Sequence, residues 1–426
     1  MNERTMQGKK NGLLYIIEAA LEYFITLMVT EAYLAKVTSA IGMDDALIAV
    51  LTAFTSLGTA FQLFAIFLAH KRPVKRWVTP LHMINQTFFA LIYFIPVVNI
   101  SYTARVAFFV LFLLGANLLN GSVQAPKFHW YMSFVEDKKR GSFTATKEIV
   151  SLIGGMIFTY IMGGIIDARE AAGDLRGAFL IIGITILCLM LLHTATLLFS
   201  VAETSPAEKH SLGEELRATL RDKSLFRVIA VSFFWSIASY ATTPFYGTYK
   251  IKELGFSMTF IAVLAGVQSI VRAVASRPIG AYADRRGFSR MLTLVFSVEA
   301  AALLAVTFAV PENGQVIFTV YVVLHGIAMG GINSGETNLI YDYVEEERRT
   351  TALALKSGIT GITGFLTTLL VTIPVNYIQK NGNTIFGIPV YAQQVTSFFG
   401  FLVVIGILLY LVFVVRRMAR GSACER

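Results

Sequence analysis

The chain has 426 residues, 55% of them hydrophobic and only 15% charged, with a mean hydropathy of +0.64. A soluble protein of this length could not hide so much apolar surface, so the composition is that of an integral membrane protein. The formal charge of +9 does not mark a nucleic-acid partner, because the basic residues fall in short clusters between apolar runs, and two cysteines, Cys188 and Cys424, exclude a disulfide framework.

In chain order, Met1–Asn11 is polar, and the run after it is long, carries glutamates and has no small-residue cleavage site, so it reads as a first span rather than a signal peptide. Apolar stretches of roughly 20 residues or more, the length a bilayer requires, are expected at 12–36, 45–69, 77–98, 104–134, 147–166, 177–201, 225–249, 257–283, 291–310, 316–343, 351–378 and 391–415. Turn residues punctuate them, among them Gly42-Met43-Asp44-Asp45, Gly173-Asp174 and Asn381-Gly382-Asn383. The one long polar connection separates two six-span halves: an N-terminal bundle at 1–201, a cytoplasmic linker at 202–224 and a C-terminal bundle at 225–426 with a short tail. Placing both termini in the cytoplasm puts most of the 36 Lys and Arg on that side, including Lys71, Arg72, Lys75 and Arg76 after span two and Lys138, Lys139 and Arg140 after span four.

The halves repeat one another. Ile41-Gly42, Ile48-Ala49-Val50-Leu51 and Ser56 recur as Leu254-Gly255, Ile261-Ala262-Val263-Leu264 and Ser269, while Val135-Glu136, Lys139-Arg140, Ala145 and Lys147 recur as Val344-Glu345, Arg348-Arg349, Ala354 and Lys356. A parallel repeat of six spans implies halves related by a pseudo-two-fold axis along the membrane normal, with a cavity between them.

Between spans eight and nine lies Arg277–Arg290, RPIGAYADRRGFSR. Gly280 would admit a close neighbouring backbone, Gly287 would take the positive φ of a tight turn, Asp284 can pair with Arg285, Arg286 or a residue of an adjacent helix, and Arg290 opens the next helix. This pattern resembles the signature loop of the major facilitator superfamily of secondary transporters. The resemblance covers essentially the whole chain and implies twelve helices in two bundles, alternating access by rocking of the halves, and loop residues that gate. The first half departs from it, with His70 at the acid position and Pro73 at the turn glycine; span five lacks the Gly-Pro pattern of drug–proton antiporters, and the Pro-Glu-Ser signature of sugar porters is missing.

Charged groups inside spans cost roughly 2.5–3.5 kcal/mol at the helix centre on insertion scales, so they face protein or a wet cavity and mark function. Glu18 and Glu22, four apart in span one, share a stripe with Tyr15, Thr26 and Tyr33 and are candidates for proton coupling; solvation of Glu18 at the cytoplasmic end is the plainer alternative. Arg272, with Gln268 one turn before it, requires a carboxylate or an anionic ligand, with Glu22, Glu299 and Glu336 as possible partners. Glu299 reads equally well as a structural pair. In the superfamily, spans four and ten line the cavity, so Lys127 and Glu336, equivalent in the repeat, are expected to bridge when the inner mouth shuts; pairing of Lys127 with Glu136 or Asp137 is the alternative. Asn117, Asn120, Gln124, His325 and Asn333 add polar capacity on those spans, and His325 is a candidate relay. Trp235, the counterpart of Glu22, belongs to an aromatic span seven that suits an amphipathic solute, a cationic one included, while lipid-facing packing would account for Tyr246 and Tyr249.

These residues describe a proton-coupled transporter of a small organic solute in the plasma membrane, monomeric and without cofactor or metal. A sugar or other nutrient importer of the same fold, and a transporter-like receptor or scaffold, are the alternatives. An enzyme is not expected, since no Walker loop, nucleophile elbow or metal-ligand cluster is apparent in the sequence.

Overall fold

The computed structural model describes residues 3–69, 74–132, 134–135, 140–201, 221–344 and 349–417. The expected cytoplasmic linker falls almost wholly outside these residues, as do His70 to Pro73, Glu136, Asp137 and the end of the tail. Among the described residues, eleven segments are helical, long and apolar enough to cross a membrane. Val74–Phe94 is a further 21-residue helix whose His82, Asn85 and Gln86, all buried, lower its apolarity. Residues 1–209 with 257–263 form one compact unit and 210–256 with 264–426 another.

The first unit contains α1 (Glu3–Met28), α2 (Glu31–Ile41), α3 (Asp45–Thr52), α4 (Phe54–Ala69), α5 (Val74–Phe94), α6 (Tyr102–Met132), α7 (Arg140–Ala171) and α8 (Leu175–Phe199). The first expected span is two helices. The hydroxyls of Thr26 and Thr30 donate back to the carbonyls of Glu22 (2.9 Å) and Thr26 (3.2 Å), an arrangement that bends helices, and Glu31 follows with φ of 42°. The break takes Tyr33 off the stripe of Glu18 and Glu22; its hydroxyl donates instead to the Thr159 carbonyl of α7 at 2.6 Å.

Small residues set how closely these helices approach. A Cβ on Gly154 would lie 2.5 Å from the Phe24 ring and one on Gly155 2.5 Å from the Tyr23 ring, so α1 rests on α7 only because both positions lack a side chain. Gly58 and Gly121 do the same for α4 and α6. Near the chain's start, Tyr15 stacks on Tyr131 at 4.4 Å in a cluster with Trp130 and Leu197, and the Trp130 indole donates to the Val201 carbonyl at 2.8 Å. Asp167 at the end of α7 accepts from the amides of Met258 and Thr259, both at 2.8 Å, capping the helix that begins there.

The second unit contains α9 (Lys223–Thr248), α10 (Met258–Arg286, whose first residues belong to the first unit), α11 (Phe288–Val306), α12 (Gly314–Met329), α13 (Ile332–Tyr343), α14 (Arg349–Lys380), a two-stranded hairpin (Thr384–Ile385 with Ile388–Pro389) and α15 (Ala392–Tyr410). Asp222 caps α9 through the amide of Ser224 at 2.9 Å, and a π-helical turn, Tyr249–Glu253, ends it. Tyr246 and Tyr249 are not lipid-facing: both are buried, Tyr246 against the Ser397 hydroxyl at 2.8 Å and Tyr249 donating to the Ala309 carbonyl at 2.7 Å. The expected tenth span is interrupted at Gly330-Gly331 between α12 and α13. Gly42 and Gly255, matched in the sequence repeat, both have positive φ, 92° and 66°.

Candidate functional site

The first unit encloses an ion cluster built from four helices. Glu18 and Glu22 project from one side of α1, His82 comes from α5, Lys127 from α6 and His193 from α8. Glu18, Lys127 and both imidazoles are buried, and Glu22 keeps 15% of its side chain exposed. The Lys127 ammonium donates to Glu18 Oε1 at 2.7 Å and to Glu22 Oε2, and lies 2.8 Å from His82 Nε2. His193 Nε2 is 2.8 Å from Glu18 Oε1, and its ring meets that of His82 edge-on at 4.6 Å between centroids. Gln124, three residues before Lys127, donates to Glu22 Oε1 and to Asn120 Oδ1, the latter at 2.8 Å.

An ammonium has donors only, so His82 Nε2 accepts from Lys127 and a neutral His82 carries its proton on Nδ1. A carboxylate accepts only, so His193 Nε2 donates to Glu18. His82 Nε2 is also 3.2 Å from Glu22 Oε1. One nitrogen therefore sits between a donor and an acceptor, and whether it carries a proton decides which it engages. Glu18 Oε2 and the Nδ1 atoms of His82 and His193 are buried with no protein partner among the described residues. With neutral imidazoles, two carboxylates and one ammonium leave a net charge of −1 inside the bundle, which one proton cancels.

Ligand atoms of Glu18, Glu22, His82 and His193 lie within 4.8 Å of one another, as in a metal site. Lys127 stands among them as the cluster's own cation. Beside it lies a cavity of about 330 Å³ walled by α1, α6 and α7 and lined by Tyr15, Tyr23, Glu22, Asn120, Phe128 and Lys147 among others.

The remaining expected residues are placed differently. Arg272 is exposed on α10 and pairs with none of its three expected partners: Glu22 is held by Lys127, Glu299 by His325 Nδ1 (2.9 Å) and Glu336 by Lys356 (2.9 Å). In this conformation Lys127 is held within the first unit by Glu18 and Glu22, and Glu336 within the second by Lys356, so the bridge expected when the inner mouth shuts is not made here. The carbonyl of Gln268 lies against Gly326 and that of Arg272 against Gly330, so α10 presents backbone, not guanidinium, to α12. His325 stacks on Tyr321 at 5.2 Å, Trp235 meets Phe296 edge-on at 5.6 Å, Asn117 bonds back to the Leu113 carbonyl at 2.8 Å, and Asn333 is exposed.

In the signature loop, Gly287 has φ of 83° as the turn requires. A Cβ on Gly280 would meet nothing within 4 Å among the described residues, so no neighbour approaches there. Asp284, Arg285, Arg286 and Arg290 are exposed, and among the described residues no ion pair joins Asp284 to Arg285 or Arg286. His82 and His193 were not singled out from the sequence. The signal was present, since each is an ionisable side chain within an expected span.

Eleven long apolar helices among the described residues and a buried charge cluster mark a polytopic membrane protein, and sequence comparison gives its class. The profile of the Major Facilitator Superfamily matches residues 12–368 and 237–423, and the chain belongs to that superfamily, whose members transport rather than catalyse. None of the curated protein sequences matches it. Similar solved structures include nucleoside transporter NupG (15% identity, 97% of this chain and 98% of that one, TM-score 0.67). A bacterial homologue of the iron transporter ferroportin in an inward-facing state (14%, 95% and 98%, TM-score 0.65) and a bacterial homologue of the human lysosomal transporter Spinster (15%, 97% and 96%, TM-score 0.59) are also similar. At these identities the likeness is one of fold.

Proposed function

We propose that this chain is a secondary active transporter that moves a small organic solute by alternating access and couples that movement to protons through the Glu18–Glu22–His82–Lys127–His193 cluster. The observation that carries the reading is His82 Nε2, placed 2.8 Å from an ammonium and 3.2 Å from a carboxylate oxygen. A proton arriving at this nitrogen turns it from acceptor to donor, frees Lys127 from one of three contacts and cancels the net −1 of the cluster. Glu22 and Gln124 carry that change to the cavity wall, where a solute feels it. Protonation and solute occupancy are then linked through shared groups, and linkage is reciprocal.

In the same reading the protein works as a monomer in the plasma membrane with both termini cytoplasmic, the orientation favoured by its basic loops. Asp284, Arg285, Arg286, Gly287 and Arg290 form the turn about which α10 and α11 are joined, and they act in gating. The test is proton movement in proteoliposomes on adding solutes from a broad panel. Wild-type protein produces a solute-dependent pH change. The Glu22→Gln variant binds and exchanges solute without it. A variant that moves protons as well as wild type overturns the coupling role.

A further inference from the structure

Resting on the transporter reading, the chemistry of the cavity wall in the first unit narrows what it takes: we propose that the cavity bounded by α1, α6 and α7 binds a small organic cation, an amine or quaternary ammonium with an apolar body. Three carboxylates, Glu18, Glu22 and Glu148, and two ammonium groups, Lys127 and Lys147, line it. The sum is one negative charge. Both ammonium groups are already held, Lys127 by Glu18 and Glu22, and Lys147 by Glu148 at 3.1 Å. An anionic solute finds no lysine in the wall without a carboxylate, and a neutral one leaves the wall's negative charge to a proton alone. A cation compensates it.

The wall already shows how it treats cations. Lys147 Nζ lies 5.8 Å from the centroid of the Tyr15 ring, a cation–π arrangement. Tyr23 and Phe128 offer further aromatic surface beside Glu22, the carboxylate of the buried cluster that keeps partial exposure, and Asn120 and Gln124 add amides at the same level. Tyr23 is held in place by Gly155, where a side chain would collide with its ring. The volume, about 330 Å³, equals that of roughly eleven water molecules, which suits a solute of modest size at the lower end of ligand pockets.

Purified full-length protein in detergent, titrated by calorimetry with choline, tetramethylammonium and tyramine, tests the proposal against the uncharged isosteres dimethylbutanol and tyrosol and the anion hydroxyphenylacetate. At least one ammonium probe is expected to bind saturably, about tenfold or more tighter than its uncharged isostere. Two substitutions then move affinity in opposite directions: Glu22→Gln, which brings the wall to neutrality, weakens it, and Lys127→Gln, which makes the wall more negative, strengthens it. Glu148→Gln, at a 55% exposed side chain, weakens it without disturbing the buried cluster and serves if either of the others folds poorly. Equal binding of charged and uncharged probes, no binding by any ammonium probe, or the same sign of change for the glutamine variants at Glu148 and Lys127 overturns the proposal. The coupling reading fails separately: cation binding without solute-evoked proton movement removes coupling and leaves the cation site, whereas proton movement evoked by neutral solutes alone does the reverse.

Discussion

Lys127→Met tests whether the lysine is the keystone of the buried cluster. The substitution keeps stem volume but removes the charge that holds Glu18 at 2.7 Å and also binds Glu22. Glu18 is fully buried, one of its oxygens already lacks a partner, and His193 alone would remain to satisfy the other. Breaking a buried pair from one side costs about 3–5 kcal/mol, because the surviving charge is left uncompensated. For a cooperative unit of about 200 residues each kcal/mol lowers the midpoint by roughly 2–4 °C. The expected loss is therefore on the order of 6–20 °C in apparent Tm, read by intrinsic fluorescence during heating in detergent. Removing the stranded charge as well, in Glu18→Gln/Lys127→Met, recovers part of it, with a coupling energy of about 1.5–3 kcal/mol between the positions. A single variant within 2 °C of wild type, or a double variant no better than the single, refutes the keystone role, the threshold being well under the roughly 6 °C minimum.

In proteoliposomes, Glu22→Gln is expected to abolish solute-evoked pH change while retaining counterflow of labelled solute at concentrations raised to offset its weaker binding; pH change equal to wild type would count against coupling through Glu22. Gly121→Ala places a Cβ into the backbone of Gly58 and should destabilise by about 1–3 kcal/mol, whereas Gly280→Ala meets open space and should be neutral or stabilising by up to about 1 kcal/mol; thermal melts of the two side by side check the contrast. Gly287→Ala, at φ of 83° and ψ of 154°, enters a region of backbone space that only glycine occupies freely and should cost about 1–3 kcal/mol, lowering both Tm and transport rate. His82→Gln retains an acceptor for Lys127 but cannot be protonated, so transport by this variant should lose its dependence on external pH in uptake assays from acid to neutral pH. A pH profile that superimposes on wild type would count against the proton switch at this nitrogen.

Much of the fold is legible in the sequence because a bilayer leaves a chain few choices: each apolar run must satisfy its own backbone, so span length and loop charge settle the helices. Val74–Phe94 shows the limit. It is helical although three buried polar residues dilute its apolarity, and hydropathy alone understates it. Span one shows another, since the Thr26 and Thr30 back-bonds that break it are local side-chain events no apolar count registers. In the site, Glu18, Glu22 and Lys127 are each conspicuous as intramembrane charges. Their meeting is not, because it depends on how α1 and α6 are rotated about their axes, which the glycines at Gly154, Gly155 and Gly121 help to fix. Arg272 illustrates the converse: its spacing from Asp284 along α10 can be counted in the sequence, but its face cannot, and its side chain is exposed while its carbonyl lies against Gly330.

The duplicated sequence has not kept duplicated chemistry. Every group that touches Lys127 belongs to the first half, and where that half has Glu22 the second has Trp235, wedged against Phe296. Within that common scaffold the first half gathers its buried charges into one cluster, whereas the second keeps them as separate pairs, Glu299 with His325 and Glu336 with Lys356. Exchanging the interiors of the two halves, even with every helix preserved, would therefore carry the cluster across as one piece, since none of the contacts to Lys127 would be left behind.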